Sequence, residues 1–159
     1  MTDDPSPPSV HGIVSGGQSG VDRAALDVAA EMGLARGGWC PRGRRAEDGA
    51  IPDCYPLRET PSPAYPERTA WNVRDSDGTL VLTRGRPRGG TALTASLARR
   101  AGKPMLVVDL EGPPDAVEVR AWISGSAVRV LNVAGPRESE APGIHDQAAA
   151  FLRGVLRQG

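Results

Sequence analysis

Val10-His11-Gly12-Ile13-Val14-Ser15-Gly16-Gly17-Gln18-Ser19-Gly20 runs a short apolar strand into a glycine-rich turn, and Val21-Asp22-Arg23-Ala24-Ala25-Leu26-Asp27-Val28-Ala29 continues with helical spacing. Val21, Ala24, Ala25, Val28 and Ala29 fall on one stripe of a helix from Val21 to Met32, which Gly33 stops. Strand, glycine turn and helix form the first unit of an α/β fold. The alternation repeats to the end of the chain. Strands are expected at Val10 to Ser15, Gly38 to Cys40, Thr79 to Thr83, Met105 to Leu110 and Val128 to Val133. Helices are expected from Ala64 to Arg74, Thr91 to Ala101, Pro114 to Ile123 and Gly143 to Leu156, besides the first. Met105 to Leu110 is nearly all apolar, as a parallel strand covered on both faces requires. Five strands joined by right-handed crossovers predict a doubly wound, mainly parallel five-stranded sheet with helices on both faces.

A chain of 159 residues fits one domain with a sizeable core, here residues 10–159. Residues 1–9 are acidic and proline-rich, with nothing apolar to bury, and are expected to form a disordered tail. They also lack the basic flank and apolar stretch of a signal peptide, and no apolar run approaches membrane-spanning length, so a cytoplasmic protein is expected. Nineteen basic and nineteen acidic residues cancel, which removes a global field for nucleic acid or an anionic membrane. Any anion site is therefore local. Cys40, Cys54, His11 and His145 lack the short paired intervals of a structural zinc site, and no metal site is expected.

In an open parallel sheet, ligands bind outside the carboxyl ends of the strands, where the strand order reverses. Three glycine turns converge there on this reading: Gly16 to Gly20, Gly89-Gly90-Thr91, and Gly135 to Ser139. Each exposes backbone N–H groups near a helix start, and a glycine lets an anion approach without a Cβ in the way. Glycine also serves tight turns and helix caps with no ligand present. Hydroxyls and amides within the turns favour a site: Gln18, Ser19, Thr91, Asn132 and Ser139 can donate to phosphate or a heterocycle edge, and Arg68 and Arg137 can pair bidentately with phosphate oxygens. Neither G-x-x-x-x-G-K-[ST] nor G-x-G-x-x-G is present, which excludes the common nucleotide-loop readings. The 41–63 segment is long for an irregular loop in a compact domain, and such loops are commonly functional. Its Arg42, Arg44 and Arg45 either cover a bound phosphate or are solvated, with Glu47 and Asp48 partly cancelling their charge. Asp22 and Arg23 suit the first turn of a helix or a ligand contact, and Asp77 before Gly78 suits a turn. Trp71, near Asn72, could border a flat ring.

Gly16 to Asp27, the block from Gly38 to Gly49 and the run from Leu131 to Ser139 together resemble the putative molybdenum carrier family, with Arg68-Thr69, Asn72-Val73 and Ser76 to Thr79 in support. The resemblance covers nearly the whole chain after the ninth residue. It implies a Rossmann-like fold, related to the lysine decarboxylase-like or cytokinin-activating phosphoribohydrolase proteins. It also implies a cleft for a phosphorylated ligand, with molybdenum cofactor as the ligand and otherwise phosphate or a nucleotide. The residues implicated are Gly16, Gly17, Gln18, Ser19, Gly20, Arg68, Asn72, Gly89, Gly90, Thr91, Asn132, Gly135, Arg137 and Ser139. A homo-oligomer and a molybdoenzyme recipient follow by the same resemblance. The phosphoribohydrolases carry P-G-G-x-G-T-x-x-E, with a catalytic glutamate and an upstream arginine that Arg68 matches. The turn from Arg88 to Ala95 supplies no glutamate, so holding a ligand is favoured over cleaving one, and no catalytic residue is assigned. Two alternatives stand beside the carrier: a nucleoside 5′-monophosphate phosphoribohydrolase using another acid such as Asp77 or Glu67, and a nucleotide-sensing module.

Overall fold

The computed structural model describes residues 10–157. The tail expected to be disordered lies outside them. The main sheet has five strands, β1 (Gly12–Val14), β2 (Ala35–Gly37), β7 (Gly78–Thr83), β8 (Met105–Asp109) and β9 (Val130–Ala134), in the order β2-β1-β9-β7-β8. All four pairings are parallel. The sheet is Rossmann-like and doubly wound, as the alternation predicts. Helix α1 (Val21–Glu31) packs on α5 (Ile144–Leu156), which also meets α4 (Ala116–Gly125), while α2 (Tyr65–Arg74) packs on α3 (Gly89–Arg100). The crossover through α1 moves outward to β2 and that through α3 outward to β8. Two right-handed crossovers running in opposite directions put their helices on opposite faces.

The stripe read from the sequence is the one buried: Val21, Ala24, Ala25, Val28 and Ala29 are inaccessible, and α5 answers with Ala148, Ala149, Leu152 and Val155. Alanines on both helices let their axes approach closely. Every residue of β7 is buried, as a strand paired on both sides in a two-faced sheet requires. Leu80, Leu82, Leu131 and Ile13 are enclosed in this core, each contributing about 1.5–3 kcal/mol by leaving water.

One strand differs from its expected place. The sheet's second strand is Ala35–Gly37, and Trp39–Cys40 (β3) leaves to pair in parallel with Arg58–Glu59 (β6). Gly38, at φ 129°, makes the turn between them; a Cβ there would lie 2.3 Å from the Ser15 carbonyl oxygen. The true strand escaped notice because it is an edge strand: Ala35 is exposed and Arg36 half-buried, so it carries no apolar signature. Helix α3 also begins two residues before the expected Thr91.

The 41–63 segment is ordered by its own polar contacts. It contains the hairpin of β4 (Arg45–Ala46) and β5 (Gly49–Ala50). Arg44 donates to the carbonyl oxygens of Ile51, Pro52, Tyr55 and Leu57 at 2.8–3.3 Å, closing the loop around one guanidinium. This settles the alternatives for Arg44, which binds its own loop. Asp27 of α1 accepts from the Tyr55 hydroxyl at 2.8 Å and meets His145 Nε2 of α5 at 2.8 Å, joining the segment to both helices. Burial raises the Tyr55 phenol, and its bond to Asp27 raises it further, so it stays a donor.

Gly135 shows how tightly the carboxyl edge is packed. A Cβ there would meet the Leu82 carbonyl oxygen at 2.2 Å and Val21 Cγ2 at 2.6 Å. Since the first is backbone of β7, a strand paired on both sides, it cannot step aside. Gly135→Ala is expected to destabilise the protein by about 1–3 kcal/mol, read as a lowered midpoint in urea; an unchanged midpoint would contradict this packing.

Candidate functional site

At the carboxyl edge of the sheet the end of β9 opens into a cleft walled by the turn after β1 and the first turn of α1, by α2, by the start of α3 and by the turn after β9. Nine of the residues singled out by sequence line it. Gly16 and Gln18 come from the first turn, Arg68 and Asn72 from α2, Gly90 and Thr91 from α3, and Asn132, Gly135 and Arg137 from the end of β9. Gly17, Ser19, Gly20, Gly89 and Ser139 are not in its lining.

Most of these glycines serve packing rather than access. A Cβ on Gly16 would fall 1.4 Å from Arg68 Nη1, so Gly16 makes room for a guanidinium. Gly17, at φ 78°, lies under Leu57 and Ile51. Gly20, at φ 83°, touches the backbone of 136–138, where Val21 N–H donates to the Pro136 carbonyl oxygen at 3.2 Å. Gly90 differs: nothing lies within 4 Å of a Cβ built there. It stands in the first turn of α3, which no side chain caps. An uncapped helix N-terminus bordering a cleft favours an anion.

Arg68 is the cationic floor of the cleft. Its Nη1 donates to Asp22 Oδ2 at 3.0 Å, and its guanidinium stands 5.4 Å from the Tyr65 ring centre. Its Nε is buried with no hydrogen-bond partner among the described residues. Such an orphaned donor costs about 1–3 kcal/mol and calls for an acceptor. Asp22, 4% exposed, also accepts the Gln18 N–H at 3.3 Å. Burial pushes its carboxyl above the usual range, against the pull of Arg68. Sequence reasoning left Asp22 between helix stabiliser and ligand contact; it is an Arg68 partner in the cleft wall.

Other side chains are already engaged. The Asn72 amide accepts from Trp39 N–H at 2.8 Å and donates to the Trp39 carbonyl oxygen at 3.0 Å. Asn132 Nδ2 donates to Thr79 Oγ1 at 3.2 Å. Trp71 stands edge-on to Trp39 at 4.7 Å and does not line the cleft; Tyr65 is the aromatic ring that does. Tyr65, Thr69, Thr94 and Glu140 also line it and were missed. The three-to-four-residue spacing of Tyr65, Arg68, Thr69 and Asn72 along α2 is the signal that could have found two of them.

Neither substitute acid proposed for the phosphoribohydrolase reading reaches the cleft. Asp77 accepts the N–H groups of Arg129 and Val130 at 3.1 and 2.8 Å, aligning the start of β9. Glu67 accepts Ser62 N–H at 3.1 Å before α2. Three residues after Thr91, where the signature has its glutamate, Thr94 returns its hydroxyl to the Gly90 carbonyl oxygen at 3.1 Å. Cys40 is fully buried, and burial raises its thiol. Among the described residues, no group of three or more His, Cys, Asp and Glu could hold a metal ion, and no helix is long and apolar enough to cross a membrane. A second groove follows β1 and β2 beside Trp39 and Arg58; of the predicted site residues only Asn72 reaches it.

Comparison with known proteins places the chain in a family. The model of the circularly permutated YpsA SLOG family matches residues 13–156. The chain belongs to this family. A crystal structure from Syntrophus aciditrophicus SB, described as a putative molybdenum carrier protein, is 41% identical, with a TM-score of 0.91, over 94% of this chain and 97% of its own. None of the curated proteins matches. The similar structure thus bears the family name that the three sequence motifs suggest.

The Arg68–Asp22 pair has a measurable consequence. Arg68→Ala leaves a buried carboxylate without its partner and is expected to cost about 3–5 kcal/mol in denaturant unfolding. Adding Asp22→Asn removes the stranded charge and should recover most of that loss. A double variant as unstable as the single one would show that the pair is not the origin.

Proposed function

We propose that this SLOG-family protein binds a phosphorylated heterocyclic ligand in the cleft and acts as a carrier, with molybdenum cofactor as its cargo. The buried Arg68 Nε carries the reading: it is a charged donor, without an acceptor, on the floor of a cleft whose far wall is the uncapped first turn of α3. A phosphoryl group supplies several acceptor oxygens and the charge that both features favour. The Gln18 side-chain NH2, whose carbonyl oxygen is taken by the Ser19 and Glu47 N–H groups, offers a polar edge for a heterocycle beside the Tyr65 ring. The residues fit the phosphorylated end of a pterin cofactor. The description of the 41%-identical structure as a molybdenum carrier supports that choice of cargo.

The cleft offers the phosphoribohydrolase alternative a poor acid. Asp22 is committed to Arg68 and the Gln18 N–H, and Glu140 pairs with Arg137 Nε at 3.1 Å. Holding needs neither to move a proton, since the donors act on a phosphate without a general base.

Protein isolated from a cofactor-producing host is expected to contain molybdenum and to show pterin fluorescence after denaturation. A ligand at a hundred times its Kd should add about 2.7 kcal/mol of stability. Removing Arg68 in the charge-neutral Arg68→Ala/Asp22→Asn variant should weaken binding about tenfold or more. Absence of molybdenum and pterin, with sustained release of free base from nucleoside monophosphates, would overturn the carrier.

A further inference from the structure

The tip of the β4–β5 hairpin ties the 41–63 segment to α1 through Asp48 and to the turns after β1 and β9 through Glu47. Asp48 pairs with Arg23 at 2.6 and 2.8 Å on the surface. Glu47 reaches further, and its side chain is only 17% exposed. Its carboxylate accepts the hydroxyls of Ser19 and Ser139, takes the Ser139 N–H at 3.1 Å, and lies 3.8 Å from Arg137 Nε. Glu47 N–H is itself fixed by Gln18 Oε1 at 2.9 Å, the same oxygen that receives Ser19 N–H at 3.1 Å.

Two hydroxyls and a backbone N–H converge on two oxygens, with the Arg137 guanidinium, shared with Glu140, beside them. That donor set is the complement of a phosphoryl group. Burial works to raise the Glu47 carboxyl, but the Ser139 and Ser19 hydroxyls, the Ser139 N–H and Arg137 together hold it below the usual carboxylate range. Two donor residues that the sequence assigns to a ligand, Ser19 and Ser139, are thus engaged by the protein's own anion, and a third, Arg137, lies between it and Glu140. Arg137 and Gln18 belong at once to this cluster and to the cleft wall.

We propose that Ser19, Ser139 and Arg137 form a second anion subsite beside the cleft, which Glu47 fills as an internal stand-in and which a phosphoryl group of the ligand takes by displacing it. The proposal rests on the reading of the cleft as a phosphate site. Displacement loosens the hairpin tip, leaving it anchored by Asp48 and by Glu47 N–H on Gln18, so the state of the cleft becomes visible on the surface at residues 45–50. The ligand class that uses both positions carries two anionic groups, as a diphosphate does.

Pyrophosphate titrated calorimetrically into the wild type, Glu47→Ala and Glu47→Gln tests this. Glu47→Ala vacates the donors and should bind about tenfold more tightly than wild type, a gain of one charge-assisted hydrogen-bonding group. Glu47→Gln, which keeps the side chain's size and the hairpin's contacts, should also bind more tightly. In the wild type, saturating pyrophosphate should accelerate hydrogen exchange across 45–50. Equal or weaker binding in both variants, with exchange unchanged, would overturn the subsite and leave Glu47 as a structural tie. In that case, loss of wild-type binding in Arg68→Ala/Asp22→Asn would still uphold the cleft. No pyrophosphate binding by any of the proteins would overturn both.

Discussion

The contact on which the site depends is the one between two backbone turns, 16–20 after β1 and 135–139 after β9. Gly20 lets the Pro136 carbonyl oxygen approach to 2.4 Å from where a Cβ would stand, and Gly135 does the same against Leu82 and Val21. Val21 N–H then donates to Pro136, and Glu138 N–H to Ser19 Oγ at 3.1 Å. The start of α1 is thereby locked to the end of β9, the strand inserted between β1 and β7. A larger residue at either glycine would separate the turns, and with them the cleft wall, from the sheet edge.

This changes what the glycines mean. The sequence suggests that they admit a ligand anion, and in one place, Gly90, the space beside the backbone is open. Elsewhere the space is filled by protein: a guanidinium beside Gly16, apolar side chains above Gly17, backbone against Gly20 and Gly135. Glycine-rich turns can therefore mark a site without touching its ligand. They bring Arg68, Gln18, Thr91 and Arg137 to one cleft.

The fold was legible because period and punctuation agreed. The alanine stripe of α1 and the stop at Gly33 each have one physical reading, and both hold; the apolar run of β8 does form a strand, but at an edge of the sheet and half-buried rather than covered on both faces. The edge strand Ala35–Gly37 was not legible, since a polar edge has no pattern to distinguish it from a loop. Nine residues read from the turns and from α2 line the cleft, but the partners that decide their chemistry could not be read. Asp22 meets Arg68 across 46 positions, and Glu47 meets Ser139 across 92. Pairings at such separation follow from the closing of the sheet and leave no local trace. The same holds for Asn72, whose amide is taken up by Trp39 rather than left for a ligand.

The cleft therefore combines a neutralised cation, an uncapped helix and an aromatic ring, with its second cluster of donors held by Glu47. Burial alone would oppose a charged guanidinium on its floor, and Asp22 offsets that cost at one nitrogen while leaving Nε without a partner. The most direct measurement is a crystal structure with a bound nucleoside monophosphate or phosphorylated pterin, its phosphorus located by anomalous scattering. The account places that phosphorus so that its oxygens lie within hydrogen-bond reach of Arg68 Nε and the first turn of α3. Phosphorus found instead in the groove beside Trp39 and Arg58, with the cleft empty, would contradict it.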